Sequence, residues 1–339
     1  MRAKGHLSLG RLAVAVAAAL SVWLAAGAVC LLFGQVRITP AQVVNGMLGR
    51  ASDPLHANIL LMERTPRVLL ALVVGGGLAL TGAVFQALLR NPLATPHTLG
   101  VSAGGALGAA AAIALSLPGL NVGPFTPVQF YALLGALLNV GIIYALARRR
   151  VYSPLKLLLA GVTLGLICSA LIMFVRFVAD PHKLVAVDRW LMGGLDVHGY
   201  RSLAAVLPLL LPALLVLLMQ ANAMNQLSLG EEMAAGRGVD VARAQREAFL
   251  AGSVLTAGVV SVAGPIGFVG LIVPHVLRGL FGPDHRLLLP LCFFGGGAFL
   301  AVADTVARST FAPSELPVGV LTAMLGGPFF LVLLMTRMR

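Results

Sequence analysis

Charged residues are scarce in this chain. Asp, Glu, Lys and Arg make up 11% of its 339 residues and hydrophobic residues make up 59%, whereas about a quarter of the residues in a soluble domain carry a charge. The mean hydropathy is +0.95. Apolar runs of about 20 residues are long enough to cross a bilayer as helices. The composition therefore excludes an ordinary soluble protein and predicts an all-α polytopic membrane protein.

Lysine and cysteine are also scarce, and their positions exclude two kinds of chemistry. A phosphate-binding P-loop needs Gly-Lys-Ser/Thr after a glycine-rich turn, and none of the three lysines completes one: Lys4, Lys156 and Lys183. We therefore expect that the chain is not an enzyme and does not hydrolyse ATP by itself. Each cysteine lies in a separate apolar run without metal-ligand or disulfide spacing, so no metal site is expected: Cys30, Cys168 and Cys292.

Acidic residues are half as frequent as basic ones, 12 against 24, which gives a net charge of +12. No basic patch is interleaved with aromatic residues, so nucleic-acid binding is not expected. Cytoplasmic loops of membrane proteins are enriched in Lys and Arg, and this bias places both termini in the cytoplasm. Basic residues also remain on the opposite face, and four arginines among them suggest an acidic partner there: Arg64, Arg67, Arg189 and Arg308.

Ten apolar stretches predict ten transmembrane helices within one domain, residues 1–339. The first stretch could instead belong to a cleaved signal peptide, although its length of about 22 residues exceeds the usual signal core. Glycine triplets at 75–77 and 295–297 predict close packing between helices. The expected spans are 12–33, 68–89, a Gly- and Ala-rich stretch after 98, one from about 129, 157–175, 203–220, one ending near 263, 268–280, 287–307 and 316–335.

A polar segment, residues 227–249, separates two long uncharged runs, and we call it the island. It holds seven ionisable side chains, and such groups are costly at bilayer depth, so the island is expected in the cytoplasm. Glu231 and Glu232 suit the first turn of a short helix. Gly236 and Gly238 permit a sharp turn, and Asp240 suits the N-cap of a second helix. This spacing fits either a docking element or a solvated loop.

Six segments together resemble one family. They are RTPR at 64–67, ALLRNPLATPHTLGVSAG at 87–104, LLLAGVTLG at 157–165, the island, AGPIGFVGLIVPHVLR at 263–278 and SELPVGVLTAMLGGPFF at 314–330. They are similar to the permease subunits of ABC importers for iron–siderophore, haem and vitamin B12, the FecCD type. The resemblance covers nearly the whole chain in order and implies the ten-helix permease fold of type II ABC importers.

The resemblance also implies partners and a location. Such permeases form homodimers in the bacterial inner membrane, with the translocation path at the dimer interface. Two separate ATP-binding cassette subunits, which carry ATP and Mg, bind the cytoplasmic face, and a periplasmic substrate-binding protein binds the outer face. The permease itself binds no cofactor. The implied function is ATP-driven import of a bulky iron chelate, either a siderophore or haem, with vitamin B12 as the alternative.

Three sets of site residues follow from the resemblance. Contact with the ATPase is expected at the coupling helices 227–249, with its core at Glu231, Glu232, Met233, Ala234, Ala235, Gly236, Arg237, Gly238, Val239 and Asp240. Docking of the binding protein through its glutamates is expected at Arg64, Arg67 and Arg308. A cytoplasmic gate is expected at Asn91, Leu93, Tyr152, Ser153 and Pro154, although the last three depart from the small polar run of the family.

Two functions of other classes can be compared with this expectation. A secondary transporter acting alone should carry paired ionisable residues at mid-membrane depth, and the spans are almost free of them. Asp304 lies near a span end and fits either a functional intramembrane acid or a helix-end cap. A membrane anchor without a transport role would need neither ten spans nor a docking element.

Overall fold

The computed structural model describes residues 9–34, 36, 38–50, 53–119, 123–148, 154–310 and 314–337, and the regular secondary structure in these ranges is helical. The helices are α1 Leu9–Leu32, α2 Pro40–Met47, α3 Pro54–Asn58, a π-helical segment Ile59–Arg64, α4 Thr65–Leu88, α5 Val101–Ala114, α6 Pro127–Arg148, α7 Pro154–Val178, α8 Pro181–Leu191, α9 Arg201–Met219, α10 Ala221–Leu227, α11 Glu231–Gly236, α12 Val241–Ala263, α13 Val269–Phe281, α14 His285–Thr310 and α15 Val318–Arg337.

Ten of these helices are apolar, and they correspond in order to the ten expected spans. Seven segments are long enough to cross a bilayer, including the continuous segment Pro54–Leu88, which joins α3, the π-helical turn and α4. The other three apolar helices are shorter, namely α5, α13 and the part of α15 that ends at Leu333. The prediction of an all-α polytopic protein with about ten spans is therefore confirmed for the described residues.

The region between the first two spans is partly helical. It contains α2 and α3. Thr39 begins α2 with a capping box, because its side chain accepts from the Gln42 backbone and the Gln42 side chain accepts from the Thr39 backbone at 2.8 Å. Asp53 caps α3 by accepting from the Leu55 backbone at 2.9 Å. Proline follows both caps at the first helical position.

Helix α4 forms the centre of the bundle. Every residue from Gly75 to Leu88 is buried, against α14, α12 and α13. A Cβ atom on Gly75 would lie 2.3 Å from the carbonyl oxygen of Gly296, and one on Gly82 would lie 2.1 Å from that of Gly270. Because lipid tails are as apolar as leucine, helices in a bilayer associate through such close backbone contacts. The glycine triplets therefore permit the close helix packing that the sequence predicts.

The chain leaves helical geometry between α12 and α13, at residues 264–268. Gly264 ends α12 at φ +68, and a Cβ there would lie 2.7 Å from the Trp190 carbonyl oxygen, so glycine permits both the backbone angle and the close approach. Phe268 begins α13 at φ +66, which is rare for a bulky residue. This break turns the chain beside the short segment that follows α8.

Candidate docking surfaces and an apolar cavity

The island has the local structure that its sequence predicts. Glu231 and Glu232 occupy the first turn of α11, and Gly238 adopts φ +82 in the turn that follows. Asp240 caps α12, since its carboxylate accepts from the backbone N–H of Arg243 at 3.0 Å. The additional helix α10, directly after the sixth span, was not expected. The sequence signal for α10 is the helix-favouring Ala, Met, Gln and Leu among residues 221–227, although Asn occupies two of these seven positions.

One side of the island is exposed and the other is anchored. Most of the ten residues expected to contact an ATPase are exposed: Glu232, Met233, Ala235, Gly236, Arg237, Gly238 and Asp240. Ala234 is fully buried, so it can support such a surface only by packing. Arg237 donates to Gln226 of α10 at 2.7 Å. The island therefore presents a compact helical surface and is not an extended loop.

Polar contacts fix the island and the adjoining helix α10 to the ends of other helices. Arg90, just after α4, lies 3.4 Å from the Glu231 carboxylate, which also accepts from Gln245 at 3.1 Å. Asn225 donates to Asp284 at 2.8 Å, between α13 and α14. Hydrogen bonds from Arg286, opposed in part by burial, and from Asn225 lower the pKa of Asp284 from 3.8 to about 2. Asp284 is therefore ionised at neutral pH.

The expected gate residues near Arg90 form a tight turn. The Asn91 side chain accepts from the Leu93 backbone at 3.0 Å, and the Asn91 backbone donates to Gln86 at 3.1 Å. Pro154 is the first residue of α7, whereas Tyr152 and Ser153 lie outside the described residues. The structure therefore places one half of the expected gate beside the island.

Leu93 also lines an apolar cavity of about 920 Å³. The cavity extends to Met192 and Gly319, at the opposite ends of the helices that line it. No Asp, Glu, Lys or Arg belongs to its described lining: Leu93, Thr95, His97, Thr98, Leu191, Met192, Pro265, Gly267, Phe268, Leu271, Gly319, Val320, Ala323, Met324 and Phe330. Apolar walls with few polar groups are typical of ligand cavities in proteins.

Arg64, Arg67 and Arg308 come together at the end of the bundle opposite the island, and we call them the arginine cluster. They line a second cavity, of about 740 Å³, together with Arg189 and several acidic residues. Arg64 and Arg308 are only 4% and 5% exposed. A Cβ atom on Gly34 would contact both guanidinium groups, at 2.6 and 2.9 Å, so these two cations lie close to the same backbone position.

The buried arginines use backbone carbonyls as partners. Arg64 donates to the carbonyl oxygen of Leu31 at 3.0 Å and also to that of Val36. Arg308 donates to the Cys30 carbonyl oxygen at 3.0 Å, and its buried Nε has no hydrogen-bond partner among the described residues. Carbonyl oxygens carry only partial charge and do not neutralise a guanidinium group. Arg308 also lies 3.7 Å from the Asp304 carboxylate.

Arg67, in contrast, is neutralised by three carboxylates of the same chain. It forms a bidentate pair with Asp304 at 2.9 and 3.0 Å, and it contacts Glu315 at 2.7 Å and Asp196 at 3.3 Å. Asp304 is 1% exposed and lies inside α14, so it is a buried ion-pair partner and not a helix-end cap. Arg67 therefore ties α4 to α14 and to the segments before α9 and α15. The sequence alone indicates Arg67 and Asp304 separately but not this network.

Comparisons with known proteins agree with this architecture. The chain is 46% identical over 275 residues to the cobalamin import system permease protein BtuC of Halobacterium salinarum, which covers 81% of this chain and 72% of that protein. It is 41% identical over 282 residues to the hemin transport system permease protein HmuU of Yersinia pestis, with 83% and 84% covered. A solved metal-chelate type ABC transporter in an inward-facing conformation superposes with a TM-score of 0.83 at 31% identity, over 95% of this chain and 98% of that one. A sequence model of the FecCD transport family matches residues 20–336. With this match and these relatives, the chain belongs to the FecCD transport family of membrane permeases.

Proposed function

We propose that the chain is the transmembrane permease subunit of an ATP-driven importer that moves a bulky iron chelate, a siderophore or haem, into the cytoplasm. Cobalamin is the alternative substrate. The family match over residues 20–336 carries this proposal. Relatives named for hemin and cobalamin import, each covering more than four fifths of the chain, support both substrates.

The energy for this transport is assigned to separate ATP-binding cassette subunits, which hold ATP and Mg. The exposed face of α11 and the turn at Gly238 supply the docking surface for such a subunit. Arg90 and Glu231 connect that surface to the turn that contains Asn91 and Leu93. This partly exposed ion pair is one of the contacts through which a displacement of α11 would reach the proposed cytoplasmic gate.

A periplasmic binding protein is the partner assigned to the arginine cluster. A carboxylate that enters the cavity beside Arg64 and Arg308 would find two guanidinium groups that are paired mainly with carbonyls. Arginine binds carboxylates through two parallel hydrogen bonds, and this geometry favours a glutamate over a neutral side chain. Arg67 is assigned a supporting role, because its own carboxylates already occupy it.

The working assembly would be a homodimer in the inner membrane, with both termini and the island in the cytoplasm. A secondary transporter acting alone is the competing function. It should need ionisable groups near mid-membrane, and the buried residues of the Arg67–Asp304 network, with Arg64 and Arg308, cluster instead near one end of the bundle. This placement favours the importer.

Co-purification followed by reconstituted transport tests the proposal. The permease is purified in mild detergent from its native host, and retention of an ATPase subunit is expected. The retained complex, with its binding protein, is then offered haem, a ferric hydroxamate siderophore and cobalamin in parallel, with and without ATP. Uptake of any of these chelates without an ATPase subunit would favour the secondary transporter, and uptake of none would refute the importer.

A further inference from the structure

The two buried arginines of the cluster cap the C-terminal end of α1. Arg64 donates to the carbonyl oxygens of Leu31 at 3.0 Å and Leu32 at 3.4 Å. Arg308 donates to that of Cys30 at 3.0 Å. The last carbonyls of a helix have no partner within the helix and form its negative pole, so cations suit them. A carboxylate that took over both guanidinium groups would leave these carbonyls unpaired, so the two arginines can attract a docking partner but do not by themselves explain a firm complex.

The chain that precedes Arg64 projects beyond the membrane. Helix α1 is long enough to span a bilayer and ends at Leu32, so its contact with Arg64 marks the membrane edge at this end of the bundle. Leu55 lies nine residues before Arg64 in a continuous helical segment, which is more than about 10 Å along the helix axis. The headgroup layer on each side of a bilayer is about 5–8 Å thick. Leu55, which is 64% exposed, therefore lies beyond the lipid headgroups.

Leu55 belongs to a group of exposed apolar side chains in this projecting region. Helix α2 packs against the π-helical segment through Gly46, where a Cβ atom would lie 2.7 Å from Leu60, and Val44 and Leu48 occupy the opposite face of α2. Helices α2 and α3 also contact each other. Clustered apolar side chains outside the membrane mark a surface that binds a partner. We call the five exposed residues the crown: Val36, Val44, Met47, Leu48 and Leu55.

The crown is continuous with the arginine cluster. Val36 and Leu55 line the same cavity of about 740 Å³ as Arg64 and Arg308, so a body that covers the crown also reaches these guanidinium groups. In protein interfaces the desolvated apolar centre holds the complex, whereas charges around it mainly accelerate the encounter. The occupant that fits is therefore a protein surface with an apolar patch beside carboxylates.

We infer that the crown holds the periplasmic binding protein in its docked state, through an apolar patch on that protein, while the arginine cluster steers its carboxylates during association. This inference rests on the proposed function, which supplies the binding protein as the partner. It goes further because it assigns the lifetime of the docked complex to residues outside the arginine cluster.

The test separates the rates of docking and release. The complete importer, with its ATPase subunits, is placed in lipid nanodiscs, and association and dissociation of the purified binding protein are measured by interferometry. Leu55→Ser should accelerate dissociation about tenfold or more, as expected for the loss of a buried leucine, without slowing association. Raising NaCl from about 0.1 to 1 M shortens the screening length from about 10 to 3 Å, and this should slow association with little effect on dissociation.

Val29→Ser is the matched control. Val29 is also 50% exposed but lies within the membrane-spanning part of α1, so both rates should stay unchanged. Unaltered dissociation in both Leu55→Ser and Leu48→Ser would overturn the inference, as would salt that accelerates dissociation as much as Leu55→Ser does. A change only in the fraction of dimer, or only in the amount of retained lipid, would assign the crown to a second copy or to lipid and would also overturn it. A wild-type importer that docks no binding protein would instead count against the proposed function.

Discussion

Removal of the Arg67 guanidinium should destabilise the protein more than removal of any exposed arginine. In Arg67→Met the Asp304 carboxylate loses its bidentate partner, and the nearest remaining cation is Arg308 at 3.7 Å. Asp304 is 1% exposed, so water cannot replace the lost hydrogen bonds. Breaking a buried pair in this way costs about 3–5 kcal/mol. Glu315 is more exposed than Asp304, and its contact with Arg67 adds at most about 1 kcal/mol.

The assay is the free energy of unfolding in mild detergent, measured by denaturant titration on variants that reach the membrane. Arg189→Met is the matched control, because Arg189 is 66% exposed and pairs with the exposed Asp196 at 2.6 Å, which predicts a loss below about 1 kcal/mol. The double variant Arg67→Met, Asp304→Asn should recover most of the lost stability, since the uncompensated charge is gone.

Equal losses in Arg67→Met and Arg189→Met would refute this reasoning, as would a double variant that is no more stable than Arg67→Met.

The result also bears on docking. Charge reversal at Arg67 would disturb the fold and the docking surface together, so reduced binding by that variant would not identify a contact. Docking is better followed through its salt dependence in Arg189→Met, which keeps the buried network.

Three other changes have outcomes that the structure determines. Gly75→Ala should separate α4 from α14 and cost about 1–3 kcal/mol in unfolding free energy, whereas Gly141→Ala, whose Cβ meets nothing within 4 Å, should be neutral. Asp240→Ala should lose the cap of α12, about 1 kcal/mol, and Asp240→Asn should retain it in the same titration. The lowered pKa of Asp284 means that its carboxylate stabilises the fold above pH 3.8, and this stabilisation is lost as the pH falls towards about 2. In Asp284→Asn the free energy of unfolding should therefore depend less on pH in that range.

The island shows how far local sequence signals reach. Caps and turns depend on residues three or four positions apart, and Asp240, Gly238 and the two glutamates of α11 were placed correctly for that reason. Hydropathy likewise identifies the ten spans, because a bilayer requires long apolar helices. The short helices α2, α3 and α10 were missed, since their few apolar residues give no periodic pattern that can be separated from a loop.

The arginine cluster shows what sequence reasoning could not supply. The carboxylates that neutralise Arg67 lie 129, 237 and 248 residues away along the chain. No local pattern links residues at such distances, and only the packing of α4 against α14 brings them together. The resemblance to permeases predicted docking arginines at these positions, but it could not separate Arg67, which is paired with acids, from Arg64, which is paired with carbonyls.

The contact between Arg90 and Glu231 is too weak to act as a lever by itself. Both side chains are partly exposed, and such a pair contributes about 0–1 kcal/mol. The stronger connection is the buried Gln86, which donates to the Gly270 carbonyl oxygen at 3.1 Å and accepts from Arg278 at 3.0 Å, while its own backbone holds the gate turn. The end of α4 is therefore fixed to α13 by hydrogen bonds of the buried Gln86, and these hold the turn at Asn91 and Leu93 more firmly than the Arg90–Glu231 pair does.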